Sequence, residues 1–371
     1  MSDILPSGES VLAELGIDSV AIKFIQPHWK RTHYRAVINW LTKYKPKPDT
    51  TNIEKVRGYL EAFHHLCEVE AWEEATAILV SDINGLISET LHIKLFIWGY
   101  YYQLAELSNR ILGTLDLDLD IILLNDLGRI YHLLEDEKQA FEYWLQSFSL
   151  AQETKNYWAM GAVLGNLGVL YASLGDYSEA IEYNHQSLTF AIKSKNVEGE
   201  QTALMNIGMA HNHLGNHEKA IEFCKQSLAI AREIPNRLGE AAVLQEIGNA
   251  YRRMGEPEQA FDFYKQSLRI MLETEDELGK GSVLFNIGNL LIEIEKYLDA
   301  LKYLQASLEV RRKIKRRCEE AETLMSIGEI YYHLACHDLA RECIEQAVII
   351  FTQLGIPLSK EDQELKGKLL S

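Results

Sequence analysis

The chain is poor in cysteine, short of positive charge and without a long apolar run. Its five cysteines, Cys67, Cys224, Cys318, Cys336 and Cys343, are odd in number and form no C-x-x-C pair. That excludes a disulfide framework and a zinc knuckle and fits a reducing, cytoplasmic setting. No stretch of 18 uncharged apolar residues occurs, and MSDILPSGES at the N-terminus lacks a positively charged region followed by an apolar one, so neither a membrane span nor an export signal is expected. Lysine and arginine number 37 against 54 acidic residues, a formal charge of −17. A surplus of that size repels phosphate backbones and anionic headgroups within a Debye length, and neither nucleic acid nor membrane is expected as a partner. Gly279-Lys280 lacks the glycine five residues earlier that a phosphate loop needs. His211, His213 and His217 flank a helix-ending glycine, and His333, Cys336 and His337 sit at a similar turn; neither set has the fixed geometry of a metal site. No serine or cysteine stands in the strand-turn-helix context of a nucleophile. The expectation is a chain that is not an enzyme, with no cofactor and no metal.

What the sequence does have is repetition. A chain of 371 residues is too long for one compact core, which stops growing near about 300 residues. Written in rows of 40 from residue 121, six segments align without insertion: Leu127-Gly128, Leu167-Gly168, Ile207-Gly208, Ile247-Gly248, Ile287-Gly288 and Ile327-Gly328. Twelve residues after each glycine stands Ala140, Ala180, Ala220, Ala260, Ala300 or Ala340. Two antiparallel helices approach closely only where both backbones carry small side chains, so each row predicts a helical hairpin.

Gly175, Gly215 and Gly255 mark the end of the first helix with a left-handed residue. Asp176 and Asn216 are expected as N-caps of the second helix, and Pro257 takes a first-turn position. Glu135, Glu295 and Ala335 replace the glycine in the other rows, which leaves those turns less well specified. The second helix carries an apolar face, as in Ala220, Ile221, Phe223, Cys224, Leu228 and Ile230, too large for one hairpin to bury alone.

The rows LGVLYASLGDYSEAIEYNHQSL (167–188) and IGNAYRRMGEPEQAFDFYKQSL (247–268) resemble tetratricopeptide repeats, with small and large residues at Leu164, Leu167, Gly168, Tyr171, Ala180 and Ser187 and again at Leu244, Ile247, Gly248, Tyr251, Ala260 and Ser267. The period of 40 rather than 34 is similar to the kinesin light chain and polarity-scaffold branch. The resemblance implies an all-α fold, a right-handed α-solenoid (superhelix) of stacked antiparallel helical hairpins, and capture of peptides in extended conformation. Four segments are expected. Residues 1–50 are partly disordered with one helix, and 51–120 hold two degenerate hairpins, the first with Ala75 twelve residues after Phe63. Residues 121–355 hold the six repeats, and 356–371 a polar capping helix.

In such a stack the first helices line the concave side, through residues two, five, six, nine, twelve and thirteen of each row. Asparagine is over-used there: Asn125, Asn166, Asn206, Asn249, Asn286 and Asn289. A carboxamide matches both groups of a peptide unit, so a ladder of them could hold an extended chain; asparagines that merely bridge neighbouring helices are the plain alternative. Arg129, Met209, Arg252, Arg253 and Tyr332 differ between rows and complete the expected peptide groove. The arginine forks suggest an acidic residue in the bound segment. A charge run, Arg311, Arg312, Lys313, Lys315, Arg316 and Arg317, is either a secondary docking patch or a solvated helix end. The expected function is a scaffold or adaptor whose partner is another protein or peptide; the alternative is a regulatory peptide sensor that changes shape on binding and switches a partner.

Overall fold

The computed structural model describes residues 7–47, 49–80 and 90–370. They form twenty α-helices and one 3-10 turn, with no strand among the described residues. The chain divides into two compact units, residues 1–170 and 171–371.

The first unit opens with α1 (Gly8–Glu14), inside the segment for which little order is expected; it buries Val11 and Leu12. The helix expected before the KPKPDT break is α2 (His28–Lys43), and α3 (Asn52–Lys55) is a single turn. Next come α4 (Arg57–Glu68) and α5 (Trp72–Val80), with Phe63 and Ala75 both fully buried, then α6 (Leu91–Ile97) and α7 (Tyr101–Ile111). One apolar core runs through these helices into the first 40-residue row, α8 (Leu117–Leu133) and α9 (Glu137–Glu153). Arg110 ties α7 to α4, its guanidinium 2.6 Å from Glu68 and 2.8 Å from His64 Nδ1.

From α8 on, helix starts keep the 40-residue step. The first helices after it are α10 (Tyr157–Ser173), α12 (Val197–His213), α14 (Arg237–Arg253), α16 (Glu277–Glu293) and α18 (Arg317–His333), each of 17 residues like α8. Their second helices are α11 (Tyr177–Ser194), α13 (His217–Glu233), α15 (Pro257–Glu273), α17 (Tyr297–Lys313) and α19 (His337–Leu354); α20 (Lys360–Leu370) ends the chain. The close approach inside a hairpin is set by the row glycine. A Cβ on Gly208 would lie 2.5 Å from Cys224 Sγ and 3.0 Å from the Ala220 carbonyl, and one on Gly248 would strike the Tyr264 ring at 2.6 Å.

All six hairpin turns are alike. The residue at the glycine position is left-handed whether it is Gly175, Gly215 or Gly255 (φ 81°, 79°, 76°) or Glu135, Glu295 or Ala335 (φ 60°, 58°, 57°). In each, the next backbone N–H bonds back to the carbonyl five residues earlier, from Asp176 to Tyr171 at 2.9 Å and from Lys296 to Leu291 at 2.8 Å. Packing of the flanking helices therefore holds even glutamate and alanine in a conformation that costs about 1–2 kcal/mol. The capping expectation needs correction. Asp176 and Asn216 occupy N-cap positions, but their side chains make no capping bond. Side-chain caps stand on first helices, where Asn156, Asn196, Asn236 and Asp276 accept the N–H three residues on, at 2.8 to 3.1 Å, and on the second helix α9, where Asp136 accepts from Gln139 at 3.1 Å.

Two further regularities recur, each in four of the six hairpins. A buried serine hydroxyl donates to a first-helix carbonyl 26 residues earlier: Ser147 to Ile121, Ser227 to Gln201, Ser267 to Ala241 and Ser307 to Gly281, at 2.7 to 2.8 Å. Ring pairs twelve residues apart stack at 13–17° between planes: Tyr131 on Tyr143, Tyr171 on Tyr183, His211 on Phe223 and Tyr251 on Phe263.

Candidate functional site: the first-helix face

Within the second unit α12 packs on α14, α14 on α16 and α16 on α18, besides their contacts with their own second helices. First helices that touch their successors form the inner side of the stack. The positions expected to line a groove range from buried Asn206 to exposed Arg253, and how free their side chains are differs from one to the next.

Four of the six asparagines are held inside the chain. In the first unit Asn166 Nδ2 donates to Asn125 Oδ1 at 2.8 Å, bridging successive first helices. Arg129 there spans Asp126 at 3.2 Å and the face of Phe96 at 4.9 Å. In the second unit Asn206 is 7 % exposed and donates to Asn184 Oδ1 at 3.3 Å. Asn249 accepts from the Tyr264 hydroxyl at 2.7 Å and donates to Glu246 at 3.3 Å. The plain alternative thus describes these four. Asn286 and Asn289, three residues apart on α16, have no hydrogen-bond partner among the described residues. Met209 is half-buried on α12, and the Tyr332 ring meets His333 and His337 edge-on at 5.8 and 5.9 Å.

The two arginines separate. Arg252 lies 3.7 Å from Glu293, whereas Arg253 is exposed and makes no ion pair among the described residues. Arg252, Phe285, Asn289, Met325 and Tyr332 line a cavity of about 590 Å³ whose remaining wall is α20, through Asp362, Leu365 and Lys368. Glu293, Glu322 and Glu329 add negative charge. Burial holds the Glu322 carboxyl above the ordinary carboxylate range; Arg311, 3.9 Å away, pulls it down, and Glu319 and Asp362 push it up.

Most of the basic run is engaged in ion pairs within the chain, although only Arg311 of the six is buried. Arg311 is 5 % exposed, donates to the Glu319 carbonyl at 2.7 Å and to Thr323 Oγ1 at 2.6 Å, and lies 4.3 Å over the Phe285 ring. Arg312 and Arg317 both reach the buried Glu320, at 2.9 and 2.7 Å, Lys313 reaches Glu277 at 3.0 Å and Arg316 reaches Glu319 at 3.6 Å. Lys315 alone of the six makes no ion pair among the described residues and is exposed. The signal that sequence reasoning missed is a repeat of the same clamp one row-pair earlier, where Arg232, 2.9 Å away, and Arg237 converge on Glu240.

The histidines of the two turns go separate ways. His211 stacks on Phe223, His213 on Tyr177 at 4.6 Å, His217 Nδ1 meets Asn212 Oδ1 at 2.7 Å, and His333 stacks on Tyr297 at 4.9 Å. No group of three or more metal-ligating side chains occurs among the described residues. Burial pushes the thiols of Cys67 and Cys343 up to about 11 and that of Cys224 up to about 12, so these three stay protonated at neutral pH. No helix of the described residues is long and apolar enough to cross a membrane.

Residues 118–193 and 200–273 match the family model of the tetratricopeptide repeat. The chain carries tetratricopeptide repeats. The match falls on α8 to α15, and α16 to α19 continue the same 40-residue tetratricopeptide register. The fold is of the α-solenoid class, built from antiparallel hairpins, as the register predicts. It is similar to aspartyl phosphate phosphatase F from Bacillus subtilis (13 % identity, 97 % of this chain and 98 % of that one, TM-score 0.59). It is similar also to the STAND signal-transduction ATPase of Pyrococcus horikoshii with a tetratricopeptide repeat sensor (13 % identity, 95 % and 53 % covered, TM-score 0.58). A third likeness is to a Rap protein complexed with competence and sporulation factor (14 % identity, 98 % and 99 % covered, TM-score 0.55). At such identities the likeness is one of fold. No curated protein matches the sequence.

Proposed function

We propose that this protein is a cytoplasmic interaction scaffold and that the first-helix face of its second unit holds an extended segment of a partner protein. The observation that carries this reading is the cavity of about 590 Å³ between α14, α16 and α18, into which Asn289 brings a carboxamide with no partner of its own. Asn286 stands one turn away on the same helix. Each offers two donors and an acceptor to a peptide backbone. An acidic residue of the segment pairs with Arg253 rather than Arg252, which Glu293 already engages. Nucleic acid is not a partner under this reading, because the charge of −17 opposes it.

The test is retention of a protein from native lysate by wild type, by the double variant Asn286→Ala, Asn289→Ala, and by Lys315→Glu as an outer control. The retained protein's contact segment is then mapped, synthesised and titrated by calorimetry. Loss of two backbone-directed carboxamides is expected to weaken that peptide about tenfold or more, with Lys315→Glu unchanged. Equal affinity for the double variant would mean that the inner face is not the binding surface. Asn206 and Asn249 are poor probes, because removing either breaks an internal bond.

A second reading, a peptide sensor, draws on α20. Since that helix walls the cavity, a ligand that fills the space moves it, and a Rap protein of similar fold has been seen complexed with a sporulation factor. Small-angle scattering with and without the peptide separates the readings: a changed radius of gyration favours the sensor, an unchanged one the rigid scaffold.

A further inference from the structure

Five of the six hairpins carry an aromatic ring at the eleventh residue of the row, Tyr131, Tyr171, His211, Tyr251 and Tyr331; the fifth row has Leu291. What the ring does is visible one row earlier. Tyr251 packs on the cluster of Ala220, Ile221 and Ala250 and stacks on Phe263 at 5.4 Å, so it fills the space between the second helices α13 and α15. The corresponding residues of the next row are Phe261, Leu291 and Tyr303, and these three line a cavity of about 630 Å³ between α15 and α17. Leu284, Leu290 and Ile294 floor it, and Lys296, Asp299 and Lys302 stand at its mouth. Tyr303, whose counterparts in rows one to four are covered by a stacked ring, has here only the edge of Phe261, at 6.4 Å and 88°.

We propose that this cavity, on the second-helix side, is the docking pocket for an aromatic side chain of a second protein, which supplies the ring missing at position 291. Three observations select that occupant. The void lies where the chain's own pattern puts a ring, and its walls present an uncovered Tyr face and aliphatic side chains. The charged groups, Glu258, Lys296, Asp299 and Lys302, are of both signs, and Lys302 pairs with Asp299 at 2.9 Å, so the lining offers no single-sign patch for a charged ligand. The cavity is an open cleft, so a free small molecule would stay partly in water, whereas a ring carried on a protein surface brings its own cover. An apolar centre with a charged rim is the arrangement of an anchor pocket. The surface shares no lining residue with the first-helix cavity, so the two can be occupied at once.

The test uses the full chain with labelled leucine and isoleucine methyl groups. N-acetyl-tryptophan amide, N-acetyl-tyrosine amide and N-acetyl-leucine amide are titrated while the methyl resonances of Leu284, Leu291 and Ile294 are followed. Ring-current shifts that saturate in the millimolar range are expected for the two aromatic amides, with a response about tenfold weaker for leucine. Leu291→Tyr restores the chain's own ring; it is expected to abolish the tryptophan response and to raise the thermal midpoint. Ala306→Trp closes the pocket from the opposite wall and is expected to act likewise on binding. Equal binding of leucine amide, or an undiminished response in both variants, would overturn the proposal. So would micromolar affinity for free tryptophan amide, which would make the cavity a small-molecule site.

Discussion

Gly208 shows how much one missing methyl group decides. On a helix, alanine in place of glycine gains about 1 kcal/mol of propensity. Here the added Cβ would sit 2.5 Å from Cys224 Sγ and 3.0 Å from a carbonyl oxygen that belongs to backbone and cannot step aside. Overpacking of that kind costs about 1–3 kcal/mol, so Gly208→Ala is expected to lose up to about 2 kcal/mol net in urea unfolding. Gly367→Ala is its control: a Cβ there meets nothing, and the variant should be at least as stable as wild type. A Gly208→Ala protein more stable than wild type by the full propensity gain of about 1 kcal/mol would show that the helices of the third hairpin do not approach as described. Asn206 is the opposite case, a residue whose type suggests a ligand but whose position, 7 % exposed against Asn184, serves the fold.

At the scale of elements, the junction between one hairpin and the next depends on buried glutamates. Glu320, at the start of α18, receives Arg312 from α17 and Arg317 from its own first turn. Removing the carboxylate charge leaves two guanidinium groups over a site built for one anion. Glu320→Gln is therefore expected to cost about 1–3 kcal/mol, whereas Lys315→Glu, away from the clamp, should stay within about 0.5 kcal/mol. Urea midpoints of the two variants measure the difference, and a Glu320→Gln protein unchanged in midpoint would return the run to the status of a solvated helix end. Hairpins, crossing points and turns were legible because each is written within a row of 40 residues and recurs without insertion. The pairing of Arg312 and Lys313 was not, since their partners Glu320 and Glu277 come from other helices. The same holds for the groove. Which asparagines are free depends on Asn184 and Tyr264, second-helix residues that no first-helix pattern reveals. Asp176 and Asn216 do stand at N-cap positions without a capping bond, because Asp and Asn occur before both helices and only geometry tells which side chain reaches an N–H.

Over the whole molecule the surplus of negative charge, −17, gives each carboxylate drawn partly out of water an unfavourable field, and the half-buried Glu246 on the inner face of the second unit is such a group. Burial raises the Glu246 carboxyl above its ordinary value of 4.5, with the Asn249 bond and Arg253 opposing, and Glu322 is raised for the same first reason. A carboxyl that binds its proton more tightly in the folded state contributes stability that is complete below its unfolded value, and that contribution is lost as pH rises through the folded value. For Glu246 the window opens at 4.5 and extends upward. Glutamine keeps an oxygen for Asn249 and carries no charge at any pH. Glu246→Gln is therefore expected to unfold at a higher midpoint than wild type at pH 7.5 and at the same midpoint near pH 4, a comparison in which every other titrating group cancels. A variant less stable than wild type at pH 7.5 would mean that the ionised carboxylate, in the field of Arg253, stabilises this face more than its burial costs. The partner segment would then meet a fixed negative charge beside Asn249 instead of a carboxyl that readily takes a proton.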